Sequence, residues 1–81
     1  MDHASAPPPM VQLDLRGLKC PLPALRARKA LARAASGSLL MVEATDPMAA
    51  IDIPHMARQE GAALLSSERD GDTLRFVLRK P

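Results

Sequence analysis

Eighty-one residues, 47% hydrophobic and 25% charged, are ordinary globular material, and a chain of this size buries only about 60% of its unfolded surface, which leaves a thin core and no deep cavity. The sequence has no apolar run long enough to span a bilayer, and a net charge of +2 with a single aromatic residue, Phe76, argues against a dedicated nucleic-acid binder. Cys20 is the only cysteine, which excludes an internal disulfide and a CxxC redox pair, and with His3 and His55 as the only other soft or borderline ligands no metal or cofactor is expected.

Residues 1–10 hold three consecutive prolines and no apolar stretch of signal-peptide type. They are expected to form a disordered tail ahead of one domain over residues 11–81, and the protein is expected to be cytoplasmic. Val11, Leu13 and Leu15 alternate with Gln12 and Asp14, the period of a half-buried strand. Pro21 to Ala35 is rich in alanine and leucine without β-branched residues and predicts a helix, with Pro21 at its first position, Pro23 at its third and Gly37 just past its end. Leu39 to Val42 is a continuous apolar run, as in a strand buried on both faces. Asp46-Pro47 opens a second helical stretch, which Pro54 interrupts; Asp52 caps a re-start that runs to Glu60 and ends at Gly61. Ala62 to Glu68 predicts a third strand, Asp70-Gly71 a hairpin turn, and Thr73 to Arg79 a fourth strand. The expected fold is a two-layer α/β sandwich, βαβαββ, with a mixed four-stranded sheet. Right-handed crossovers run strands one to three in the same direction and put both helices on one face.

Lys19-Cys20-Pro21-Leu22-Pro23 carries the strongest chemical signal. Two prolines so close would each cost about 3 kcal/mol inside a helix but little at its start, where the first N–H groups lack intrahelical partners. Cys20 therefore lies at a helix entrance, a place where serine or aspartate would serve stability better. The helix end favours a thiolate by only about 0.3–1 kcal/mol when exposed, less than one pKa unit. Lys19 and Arg16 are expected to supply the remaining stabilisation, with the Leu22 and Ala24 amides as donors to the sulfur.

Leu15 to Pro23, followed by Arg28-Lys29, resembles the CPxP signature of the TusA/SirA-like sulfur-carrier family. The resemblance continues through Asp46-Pro47, Asp52-Ile53-Pro54 and Gly61 to the closing strand, over about residues 11 to 80. It implies that Cys20 accepts sulfane sulfur from a cysteine desulfurase or rhodanese, holds it as a persulfide and passes it to a downstream relay protein or thiolation enzyme. Such proteins serve tRNA thiolation, molybdenum-cofactor synthesis or sulfur oxidation, as relays more than as turnover enzymes. Where similar proteins carry an aromatic residue and a second cysteine, this chain has Met56-Ala57, and where they carry His-Glu it has Ala62-Ala63.

The first helix turns Ala24, Ala27, Leu31, Ala34 and Ala35 to one side and Arg26, Lys29 and Arg33 to the other. That basic stripe reads as a solvated face, as a docking surface for an acidic partner, or as a weak RNA footprint. Leu22 projects beside it as an apolar anchor, unless it folds back onto the loop. His55 reads as an idle histidine on the exposed first turn of the second helix, and Met48 and Met56 read as core fillers. The alternative to sulfur carriage is a small nucleic-acid-binding or regulatory module using the basic helix; a redox-sensing thiol is weaker, because no resolving cysteine exists.

Overall fold

The computed structural model describes residues 9–81; of the tail expected over residues 1–10, residues 1–8, with His3, lie outside them, and Met10 belongs to the first strand instead. The elements run β1 (Met10–Leu15), α1 (Leu22–Arg33), β2 (Leu39–Ala44), α2 (Ala49–Gln59), β3 (Ala63–Asp70) and β4 (Thr73–Arg79). Among the described residues no helix is long and apolar enough to cross a membrane.

The sheet order is β1-β2-β4-β3. β1 and β2 pair in parallel from Met10↔Leu39 to Leu15↔Ala44, and β4 inserts antiparallel between β2 and β3. The first three strands thus point the same way, as the crossovers require. The β3–β4 hairpin closes on Asp70↔Thr73. Gly71 takes φ +61 there while no non-glycine residue among the described residues has positive φ, the pattern of a turn that needs glycine at its first central position.

Alternation along the strands decides which face is covered. Leu40, Val42 and Ala44 of β2 and Leu74, Phe76 and Leu78 of β4 point into one core with Leu15, Ala27 and Leu31 beneath α1 and Ile53, Met56 and Ala57 beneath α2. Small residues at Ala27 and Ala57 let both helices sit close on the sheet. The continuous apolar run of β2 predicts burial on both faces, but Leu39, Met41 and Glu43 are only half-buried, because among the described residues no second layer covers that side. There Arg75 bridges to Glu43 at 2.9 Å.

Helix boundaries depart from the pattern in several places: α2 begins at Ala49 with Met48 as N-cap, not at Pro47, and Asp52 lies inside it instead of capping a re-start. Pro21 is the N-cap of α1 and Pro23 its second residue, one position later than predicted. The first helix stops at Arg33, since Ala34 is already extended; the Leu31 carbonyl of the last turn accepts from Ala34 N–H at 3.1 Å and also from Lys80 Nζ at 2.7 Å. Gly37, with φ +83, serves the turn into β2 instead of ending the helix. Pro54 sits inside a continuous α2 and does not split it. The bond it removes would fall on the Ala50 carbonyl, and Ala50 is exposed, so water can take its place. Of the two methionines expected in the core, Met56 is 4% exposed and Met48 44%.

Phe76 is the largest fully buried side chain. Phe76→Ala is expected to lower stability by about 3–5 kcal/mol, the usual cost of an aromatic-sized cavity, measured as a shifted urea midpoint with an unchanged slope.

Candidate functional site

Because Leu15 pairs with Ala44, the loops leaving β1 and β2 emerge side by side at one edge of the sheet, where open α/β sheets meet their ligands. Gly17, at φ +85, turns the chain out of β1 and donates its N–H to Thr45 Oγ1 at 2.8 Å. Three residues on, the Cys20 backbone N–H donates to Asp46 Oδ2 at 2.6 Å, while Asp46 Oδ1 accepts from Met48 N–H at 2.9 Å. One carboxylate thereby ties the entrance of α1 to the turn that starts α2. The Cys20–Pro21 peptide bond is cis, and Lys19 O accepts from Leu22 N–H at 2.8 Å. Leu22 N–H is therefore committed to the backbone and does not serve the sulfur, contrary to the donor role expected for it.

The exposed thiol of Cys20 donates to Asp52 Oδ2 at 3.0 Å. This reverses the expected electrostatics. Asp52, as hydrogen-bond acceptor, is the leading cause that pushes the thiol above its ordinary pKa; partial desolvation and the charges of Asp52 and Asp46 follow. A helix N-terminus offers about half a positive charge, and two full carboxylate charges outweigh it. Neither of the two cations assigned to the sulfur offsets this effect on the thiol. Arg16 pairs with Asp14 through Nε at 2.7 Å and Nη2 at 2.9 Å, holding the Asp14 carboxyl down at about 2. Lys19 acts on Asp46, whose pKa is lowered chiefly by the Cys20 and Met48 N–H groups. The thiol at rest is a neutral hydrogen-bond donor.

Cys20 opens onto a cleft of about 270 Å³ between α1 and α2, lined by Ala24, Leu25, Arg28, Asp52, His55 and Met56 among others. That is small for a cofactor and suits a side chain or the arm of a partner. His55 lies mid-helix on this cleft and not on a first turn. Leu22 does not fold back: it is 42% exposed, and Leu25, Met48 and Ile51 are exposed as well. Arg26, Lys29 and Arg33 line a different groove, against Leu13 and Leu15 on the β1 side of α1. The stripe and the sulfur thus occupy different flanks, and the cation beside the sulfur's cleft is Arg28. Pro23, at the helix entrance, is buried. In the sequence Asp46 and Asp52 read as helix caps within the family resemblance; their position beyond the end of β2 is the sign that they can face Cys20.

The family model described as "Sulfurtransferase TusA" matches residues 11–80. The chain belongs to the TusA family. It is 44% identical over 69 residues to the "Sulfur carrier protein TusA" of Allochromatium vinosum, covering 85% of this chain and 91% of that one. Its fold is shared with the crystal structure of the SirA-like protein from Desulfitobacterium hafniense, at a TM-score of 0.76 and 26% identity over 86% of this chain and 96% of that chain.

Two substitutions separate the roles of the charges in this TusA-family site. Asp46→Ala removes the acceptor of two backbone N–H groups and is expected to lower Tm by roughly 5 °C. Arg16→Ala, which frees only Asp14, is expected to leave the rate of Cys20 alkylation by iodoacetamide unchanged at every pH tested.

Proposed function

We propose that this protein carries sulfur as a persulfide on Cys20. The supporting observation is an exposed, solitary thiol in a CPxP frame at the mouth of the cleft between the helices, in a chain of the TusA family. Cys20 Sγ attacks the terminal sulfur of a donor's persulfide; a new S–S bond forms on Cys20, the donor's S–S bond breaks, and the donor leaves as a thiol. An acceptor thiol repeats the step in the other direction. No electrons are gained or lost overall and no cofactor is required. Nothing in the site resembles a dedicated machine for turnover, so the rate is set largely by how a partner aligns the sulfurs.

The donor is a cysteine desulfurase or a rhodanese, and the acceptor a relay protein or thiolation enzyme of the cytoplasm. Pro21 and Pro23 stiffen the helix entrance and fix the direction in which the sulfur is presented. Leu22 and Leu25 from α1, and Ile51 of α2 next to Asp52 in the chain, form exposed apolar footholds of the kind that anchor interfaces. Arg26, Lys29 and Arg33, on the far flank, add charge contacts to an acidic rim. Lys19 contributes through Asp46, softening the negative field that the thiol feels.

Incubation with a cysteine desulfurase and cysteine is expected to add about 32 Da, one sulfur atom, to the wild type. Cys20→Ser should gain nothing while melting within roughly 5 °C of the wild type, because its hydroxyl can also donate to Asp52. Lys19→Ala should still load, more slowly. Sulfur gained by Cys20→Ser overturns the proposal.

A further inference from the structure

Asp52 is not needed to start α2. The turn before the helix is already closed by Asp46, and the Asp52 side chain instead meets the one atom at which exchange occurs, 3.0 Å away. Its carboxylate acts differently on the two states of that atom. The unloaded thiol has a proton to donate and is stabilised by the contact. After loading, Sγ has lost that proton. A hydropersulfide is a stronger acid than its parent thiol, so at neutral pH the terminal sulfur is an anion facing a fixed negative charge.

We propose that Asp52 sets the direction of sulfur exchange, favouring the unloaded thiol and disfavouring the loaded persulfide, so that the carrier discharges readily. The inference rests on the carrier reading above and adds to it the residue that governs release. The balanced step is exchange between Cys20–SH and R–S–S⁻ to give Cys20–S–S⁻ and R–SH. One S–S bond breaks, one forms, and the thiol proton passes to the leaving sulfur.

The other charged and titratable groups around the sulfur do not cancel this bias. Asp46, from the turn before α2, adds a second negative charge to the thiol's surroundings, and Lys19 lies close enough to Asp46 to lower it. Arg28 from α1 and His55 from α2 line the same cleft, yet the thiol is raised by its neighbours and lowered by none of them. A cation brought by a docked partner would lift the restraint where transfer is wanted.

The test equilibrates the wild type and Asp52→Asn in one glutathione and glutathione-persulfide mixture at neutral pH. Intact mass gives the ratio of loaded to unloaded Cys20, and the pH profile of iodoacetamide alkylation gives the ionisation midpoint of the unloaded thiol. A charge about 4 Å away in a water-like medium is worth about fivefold in such a ratio. The ratio should therefore rise about fivefold in Asp52→Asn, and the alkylation midpoint should fall. A ratio that is unchanged or lower, or an unmoved midpoint, overturns the inference. A residue that merely shaped the helix would shift neither in these directions. If Asp52→Asn does not fold, Asp52→Ser is held to the same two readouts. Should the wild type load neither from this mixture nor from a cysteine desulfurase, the carrier reading itself fails and takes this inference with it. Loading of the wild type with matching variants defeats the inference alone.

Discussion

The bond from the Cys20 N–H to Asp46 Oδ2 holds the site together. The parallel register of β1 and β2 delivers both loops to one sheet edge, and this tie, with the Gly17–Thr45 and Cys20–Asp52 contacts on either side of it, fixes the sulfur's loop against the start of α2. From it follow the position of Pro21 as N-cap, the reach of the thiol to Asp52 and the opening of the cleft between the helices. The second lobe of the same carboxylate bonds Met48 N–H, so one side chain organises the entrances of both helices. A small domain with a thin core has few rigid places to offer, and here two helix starts braced against each other provide one.

The site combines opposing fields. The helix entrance favours an anion and the aspartates oppose one, and with Arg16 paired to Asp14 the opposition prevails. For an enzyme that must attack unaided this would be a poor arrangement. For a carrier it has advantages, since a protonated thiol resists oxidation and random exchange. In the proposed carrier role, reactivity is supplied on docking, by apolar contact at Leu22, Leu25 and Ile51 and by whatever charge the partner brings.

Much of the architecture is legible in the sequence because its signals are local. The alternation of β4, the Asp-Gly turn and the paired prolines each impose one backbone outcome, and Cys20 falls at a helix start as their spacing demands. What misled was interpretation of single residues whose meaning depends on tertiary neighbours. Pro54 predicts a break, yet α2 is continuous, and the carbonyl left without its N–H partner belongs to an exposed residue, Ala50. Arg16 and Lys19 lie close to Cys20 along the chain, and proximity in sequence suggests a cationic thiol site. Asp14, two residues from Arg16, claims one of them, and Asp46 and Asp52, twenty-six and thirty-two residues beyond Cys20, set the field. No local pattern announces a contact of that range; only the parallel pairing of β1 with β2 does.

The central claim is that the reactive group rests as a neutral thiol held by a carboxylate. Its most direct test is a pH titration of the Cys20 Cβ resonance by NMR in protein labelled with ¹³C at cysteine, which reports this single residue without any partner. The structure predicts a midpoint above the ordinary thiol value of about 8.5. A midpoint below that value would mean that the helix end and the nearby cations prevail, and would contradict the arrangement described for Asp52 and Asp46.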